Sequence, residues 1–163
     1  MISNYNQYHH LKMNSNQNFK VRKARLSDIE FIHQVISTLS ESNIRLNEFE
    51  AILKAKLKAT GYYIYLLEEH SKTIENTGLL VVNVNQSLTD FWPIVEVQDF
   101  FIIPKYRKFG AADFLYNFLE NFAKEQKAYR LKVSCKINST LNQNFYTTRG
   151  FKISKKQYIK PVY

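Results

Sequence analysis

Three strand-like segments follow one another in the middle of the chain, and only short polar turns join them. The segments cover residues 62–67, 78–84 and 94–103, and the turns cover residues 70–76 and 86–90. Strands joined by such short turns pair antiparallel, because a parallel pair needs a crossover of about a dozen residues or more. The middle of the chain is therefore predicted to fold as an antiparallel meander.

Helical periodicity flanks this meander on both sides. Upstream, the pattern predicts a strand at residues 19–24 and helices at residues 29–39 and 46–59, with Ser27 and Glu30 at the spacing of a capping box. Downstream, it predicts a helix at residues 111–122, a strand at 130–135, a short helix at 141–148 and a last strand at 151–159. The element order is β-α-α-β-β-β-α-β-α-β, without internal repeats.

Length and composition restrict the class of protein. A chain of 163 residues that is 45% hydrophobic can bury a core of its own, which excludes a disordered chain. We predict a flexible polar tail at residues 1–18 and a single domain at residues 19–163. No apolar run approaches the ~20 residues that cross a bilayer, and the polar N-terminus lacks the apolar segment of a secretory signal. A cytoplasmic protein without a membrane partner is predicted.

Charge and cysteine content narrow the partners. The formal net charge is +9, and a basic surface favours anions such as nucleic acid or a polyphosphate cofactor. The basic residues are spread along the chain, so nucleic acid stays an alternative that is not favoured. The single cysteine, Cys135, excludes an internal disulfide and is predicted to be buried in its apolar strand. No histidines stand at metal-ligand spacing, and no metal site is predicted.

The segment with the clearest chemistry joins the third meander strand to the next helix. A basic turn that includes Arg107 and Lys108 leads to Gly110, and the small residues Ala111 and Ala112 follow. Amides at a helix N-terminus carry a partial positive charge and bind phosphate. A glycine at this point allows the backbone to approach a ligand closely. The segment is suited to a pyrophosphate, although so loose a pattern also occurs by chance.

Three motifs in this order resemble the GNAT superfamily of N-acyltransferases. Residues 21–28 resemble its first strand and first helix. The R-x-x-G-x-A sequence at residues 107–112 resembles its acyl-CoA pyrophosphate loop, and FYTTRGF at residues 145–151 resembles its Phe/Leu-Tyr-x-x-x-Gly-Phe segment. The resemblance covers most of residues 19–160. It implies an α/β fold that is GNAT-like, with a mixed, largely antiparallel sheet and helices on both faces.

The resemblance also implies acetyl-CoA as the acyl donor. The pantetheine arm enters between the third meander strand and the strand at residues 130–135, and it pairs with backbone groups near Phe101 and Ile103. The family often has Asn seven residues before the motif tyrosine, where this chain has Ser139 between nearby asparagines. The residues implied to bind acetyl-CoA are Phe101, Ile102, Ile103, Arg107, Lys108, Phe109, Gly110, Ala111, Ala112, Asn138 and Asn142.

Catalytic roles are implied for three residues. Tyr146 of the last motif is implied to protonate the departing CoA thiolate. Glu96 stands eleven residues before Arg107, at the spacing of the base in the histone acetyltransferase branch, and Asp99 stands where many small-amine acetyltransferases have an acid. Strict alternation places these two carboxylates on opposite faces of the strand, although a bulge would change that parity. A third alternative is that neither Glu96 nor Asp99 acts as the base.

The sequence thus predicts an N-acetyltransferase that moves an acetyl group from acetyl-CoA to a primary amine of a small molecule. Two alternatives stay open. One is an acetyltransferase that acts on protein or aminoacyl-tRNA amines, and the other is a non-catalytic acyl-CoA-binding regulator. The partners predicted are acetyl-CoA and an amine acceptor, and a homodimer is left open.

Overall fold

The computed structural model describes residues 18–40, 44–86, 88, 91–135, 139–154 and 160. Within these residues the strands are β1 Phe19–Lys23, β2 Tyr62–Glu69, β3 Glu75–Asn85, β4 Ile94–Ile102 and β5 Arg130–Val133. The helices are α1 Ile29–Leu39, α2 Leu46–Lys58, α3 Pro104–Arg107, α4 Ala111–Glu125 and α5 Thr140–Thr147. None of these helices combines the length and the apolar character that a membrane span requires.

The strands form one sheet in the order β1-β2-β3-β4-β5. The first three pairs are antiparallel, as the predicted meander requires, and β4 pairs with β5 in parallel. A parallel pair needs a crossover between its strands, and the segment that contains α3 and α4 supplies it. The sheet is therefore mixed and largely antiparallel.

Helices cover both faces of this sheet. Successive side chains of a strand point to opposite faces. In β2, Ile64 belongs to a buried cluster with Ile32 of α1 and Leu53 of α2, whereas the ring of Tyr65 packs 4.8 Å from that of Phe118 in α4, between centroids. We call the first side the α1–α2 face. The predicted α/β fold, with helices on both faces of a largely antiparallel sheet, is confirmed.

The start of α1 differs from the prediction. A single 3-10 turn precedes α1, and the residue at its N-cap is Asp28 rather than Ser27. The Asp28 carboxylate accepts a hydrogen bond from the Arg25 amide at 2.7 Å and two from the Arg22 guanidinium. Charge-assisted bonds to a carboxylate are stronger than a neutral serine cap, so the predicted capping box of Ser27 and Glu30 is wrong.

The C-terminal part of the chain departs from the prediction in two places. β5 ends at Val133, and Cys135, two residues beyond it, is exposed rather than buried. The predicted last strand is absent over residues 151–154, and its remainder lies outside the described residues, as do residues 1–17 of the predicted tail. The chain divides into two compact units, residues 1–133 and 134–163. A single domain over residues 19–163 stays a prediction.

Candidate active site

One edge of β4 is paired over only half of its length. β5 pairs with residues 94–97 of β4, and the last pair is Val97 with Val133. From Asp99 to Ile102, β3 still pairs with the other edge of β4, but no strand in the described part of the chain covers this one. The sheet therefore opens beside the second half of β4. An extended ligand can add to such an edge as an extra strand.

Backbone alternation decides which peptide groups of β4 reach the open edge. The Ile103 amide donates a hydrogen bond to the Thr77 carbonyl at 2.9 Å, so Ile103 and, two residues earlier, Phe101 direct their peptide groups towards β3. The Ile102 peptide group points the other way, and its carbonyl accepts a hydrogen bond from Arg107 Nε at 3.1 Å. Of the three predicted residues, Ile102 offers its backbone to the open edge.

A helical turn that the sequence pattern does not predict leads away from this edge. α3 begins at Pro104, whose fixed φ and missing amide suit the first helical position. Lys105 forms an ion pair with Glu75, the first residue of β3, at 2.7 Å, and the Tyr106 hydroxyl donates a hydrogen bond to the same carboxylate at 2.5 Å. These contacts anchor α3 to the sheet and engage the charge of Lys105.

The other two basic residues of this segment are more accessible. Arg107 and Lys108 are exposed, and neither forms an ion pair with a residue that the structure describes. Lys108 Nζ lies 5.3 Å above the ring centroid of Phe109, which is itself exposed. Arg107 and Lys108 are therefore the charges in this segment that an incoming anion can reach.

The helix α4 begins directly after a glycine in the left-handed conformation. Gly110 has a φ of 79° and occupies the N-cap of α4. The amides of Ala111 and Ala112 follow, and as the first amides of the helix they have no acceptor within it. Only methyl side chains stand at these two positions, and the helix dipole adds a partial positive charge. This helix start is suited to bind a phosphate group.

A bulge in β4 decides the relation of the two candidate carboxylates. The pairing with β3 skips Gln98, so that Asp99 pairs with Val81 and Glu96 with Asn83. Val81 and Asn83 stand two residues apart and face the same side of the sheet. The extra residue thus brings Glu96 and Asp99 to one side, the α1–α2 face to which Val81 belongs. Strict alternation predicts that the two carboxylates lie on opposite faces of the strand, and this prediction is wrong.

These two carboxylates have different surroundings. Glu96 pairs with Lys132 of β5 at 2.8 Å. Asp99 is half-buried, binds no residue in the described part of the chain, and burial raises its pKa above the ordinary value. The pKa of Tyr62 is raised mainly by burial and further by the charge of Asp99. A carboxylate with a raised pKa is better suited to accept a proton near neutral pH.

The second unit contains α5 and the candidate acid. Tyr146 is buried, with its ring centroid 5.2 Å from that of Phe145 and 5.3 Å from that of Phe151. Its hydroxyl has no hydrogen-bond partner among the residues described. The pKa of Tyr146 is raised to about 12, mainly by burial and also by Cys135, against the opposing effect of Arg149. The phenol therefore stays protonated at neutral pH and can donate a hydrogen bond.

The remaining predicted contacts are two asparagines. Asn142 is an exposed residue of α5, and Asn138 lies outside the described residues. Within the part of the chain that the structure describes, no three His, Cys, Asp or Glu residues come together to hold a metal ion. A reaction without a metal stays a prediction.

Two residues near the carboxylates carry no local signal in the sequence. Lys132 lies opposite Glu96 only because β4 and β5 pair in this parallel register, and Tyr62 lies near Asp99 only across β3. A search for helix or strand periodicity cannot find such neighbours, because it reports contacts along the chain and not between strands.

Comparison with known proteins extends these observations. A profile of the acetyltransferase (GNAT) family matches residues 38–151. A comparison with curated proteins finds no significant match. Among solved structures, glucosamine-6-phosphate N-acetyltransferase from Arabidopsis thaliana has a TM-score of 0.67 and 21% identity over 88% of this chain and 98% of that chain. An acetyltransferase from Trypanosoma brucei has a TM-score of 0.71 and 18% identity over 89% and 100%.

An aminoglycoside N-acetyltransferase, AAC(6')-Iy in complex with CoA, has a TM-score of 0.74 and 13% identity, and the match covers 93% of this chain and 99% of that chain. At such low identities these matches show a similarity of fold. The family profile, in contrast, spans more than half of the sequence. The chain belongs to the acetyltransferase (GNAT) family.

Proposed function

We propose that this protein is an N-acetyltransferase that transfers the acetyl group of acetyl-CoA to the primary amine of a small molecule. The observation that carries the proposal is the open edge of β4, which leads at its C-terminal end to the start of α4, where the N-cap is a glycine without a capping side chain. Acetyl-CoA has a matching group for each feature. Its pantetheine arm is an extended chain with amides, and its diphosphate suits the amides of a helix start.

The donor would be held mainly by backbone groups. The amides of Ala111 and Ala112 bind the diphosphate, Gly110 allows the close approach, and Arg107 and Lys108 add positive charge. The pantetheine arm lies along the open edge and meets the Ile102 peptide group. Arg107 already donates to the Ile102 carbonyl, so it links the strand edge to the phosphate site.

In the reaction, the neutral amine attacks the thioester carbonyl, a C–N bond forms, and the C–S bond then breaks. Asp99 is the better candidate to take the amine proton. It lies on the stretch of β4 that β5 does not reach, and its carboxylate is not engaged by a described residue, whereas Glu96 lies on the stretch paired with β5 and is held by Lys132. The proton passes from the ammonium nitrogen to Asp99 and then to solvent.

The departing thiolate would be stabilised by Tyr146. Its pKa of about 12 stands some 3.5 units above an ordinary thiol, so full proton transfer from the phenol is uphill by about 5 kcal/mol. Tyr146 therefore acts as a hydrogen-bond donor to the developing thiolate, and solvent supplies the final proton. Support for this role comes from its place in the family motif and from its buried hydroxyl.

The test is acetyl transfer by the purified full chain. Acetyl-CoA is mixed in turn with amino sugars, polyamines, peptides with a free N-terminus and aminoacyl-tRNA, and free CoA thiol and acetylated product are both measured. Turnover with small amines supports the proposal. Turnover with peptides or tRNA alone would show that the acceptor is a macromolecule and not a small amine. CoA binding without any turnover favours a regulator. Failure to bind acetyl-CoA overturns the proposal. A cytoplasmic location and a homodimer stay predictions.

A further inference from the structure

We propose that the acceptor carries an anionic group in addition to its amine, and that Lys56 of α2 binds this group. The inference rests on the proposed function and concerns the α1–α2 face of the sheet. It assigns to the protein a second charged subsite, placed across β3 from the carboxylate that receives the amine.

The register of the sheet defines the floor of this subsite. Tyr62 pairs with Asn83, and Asn83 pairs with Glu96, so the three residues form one line across β2, β3 and β4. Asp99 stands in the next line, where it pairs with Val81. Tyr62 and Asp99 are thus separated by one strand. Two strand spacings and an offset of two residues along the strands place their Cα atoms about 12 Å apart, a separation that the two side chains and one small molecule can span.

Lys56 of α2 brings a positive charge close to Tyr62 of β2. Its Nζ lies 4.5 Å from the ring centroid of Tyr62. It forms no ion pair with a residue in the described ranges, and the positions three and four residues away on either side hold no acid. Lys54 differs in this respect, because it pairs with Glu50 one helical turn away at 2.6 Å. A charge-assisted bond to an anion is stronger than a contact with a ring, so Lys56 is available to a ligand.

The two ends of the floor therefore have opposite charges. Asp99 offers a carboxylate on β4, and Lys56 offers an ammonium above the half-buried Tyr62 ring on β2. Lys132 does not offer a second anion site of this kind, because Glu96 already neutralises it. An amine that also bears a phosphate or carboxylate satisfies both ends. A polycation satisfies Asp99 alone and is repelled by Lys56.

The experiment compares matched acceptors that differ only in the anionic group. Glucosamine 6-phosphate is compared with glucosamine, β-alanine with propylamine, and spermidine serves as the polycation. We expect at least one anionic acceptor to exceed its neutral partner about tenfold or more in kcat/KM, which is the effect of one charge-assisted contact. Lys56→Met should raise KM for that acceptor about tenfold, with kcat and the neutral partner unchanged, and Lys56→Arg should restore it.

Lys54→Met is the matched control, since it removes a neighbouring lysine of the same helix that is already paired. Equal use of anionic and neutral acceptors, a preference for spermidine, or an unchanged KM in Lys56→Met would overturn the inference and leave the proposed function standing. If none of these amines nor any other acceptor class is acetylated, the proposed function itself has failed, and a cooperative thermal unfolding transition of the same preparation shows that the protein tested was folded.

Discussion

The role of Gly110 can be tested against a second glycine of the same conformation. Gly110 has a φ of 79° and Gly150 a φ of 83°, and both are therefore in a region that costs an L-residue about 1–2 kcal/mol. A Cβ added at Gly150 meets no atom within 4 Å, so strain is the whole cost of alanine there. The free energy of unfolding should fall by about 1–2 kcal/mol in Gly150→Ala and by a similar amount in Gly110→Ala.

The two variants should differ in CoA binding. In Gly110→Ala the helix start is displaced from its close approach to the diphosphate, and the loss of one charge-assisted hydrogen bond of about 1.5–3 kcal/mol weakens Kd roughly 10- to 100-fold. Gly150→Ala should keep the wild-type Kd. For a chain of this size each kcal/mol lowers Tm by about 2–4 °C, so both variants remain folded at 25 °C.

Calorimetric titration with CoA and thermal unfolding of the same preparations measure both quantities. An unchanged Kd in Gly110→Ala, at a Tm lowered as in Gly150→Ala, would show that the glycine serves only the backbone turn. An equal loss of affinity in both variants would show that strain, and not contact with the phosphate, weakens binding. Either result refutes the assignment of the diphosphate to this helix start.

Three further predictions concern the proposed base, the proposed hydrogen-bond donor and an ion-pair cluster. Tyr146→Phe should lower the rate constant of single-turnover transfer about 10²-fold, the effect of losing one hydrogen-bond donor to developing negative charge, without a change in Tm; a full rate would contradict its role. Because the pKa of Tyr146 is about 12, its ionisation should produce no break in the wild-type pH–rate profile below pH 10. Asp99→Asn should abolish the acidic limb of that profile. Its Tm at pH 7 should equal or exceed that of the wild type, because burial raises the folded-state pKa of Asp99 and the ionised group therefore costs stability as pH rises through that pKa. A marked loss of Tm would contradict this. Arg22→Met should lower the free energy of unfolding by about 2–3 kcal/mol at pH 7 in urea titrations, because it leaves Asp28 and Glu68 without their shared guanidinium. Burial alone raises the pKa values of both acids, but hydrogen bonds, chiefly from Arg22, lower them overall. The difference in unfolding free energy between wild type and variant should therefore shrink as pH falls below about 4, and an equal difference at pH 7 and pH 3 would contradict this.

Much of the fold could be read from spacing along the chain. The stripe of apolar residues after Gly110 predicts the helix now seen as α4, and the short turns predict the meander of β2, β3 and β4. Both features are local, because helix periodicity and turn length depend on residues within a few positions of each other. The proposed phosphate site at the start of α4 belongs to the same class, since a glycine followed by small residues is a local pattern.

The relation of the candidate catalytic groups is not local. A single extra residue, Gln98, brings Glu96 and Asp99 to one face of β4, and it is recognised only by its missing partner on β3. Likewise, Ile102 offers its peptide group to the open edge because Ile103 is bonded to β3. A bulge and a pairing register are set by contacts between strands.

Spacing along the chain thus predicts most of the elements and their order, and also where a phosphate could meet a helix start, but it misses α3. The pairing of strands, in contrast, sets which of the two carboxylates is engaged by a residue that the structure describes. Lys132 pairs with Glu96 because the crossover through α4 sets β5 beside β4 in this register. The pairing with β5 stops at Val97, so Asp99 stands on the stretch that no described strand covers on that side. Strand register depends on the packing of the whole sheet against its helices, which no segment encodes alone.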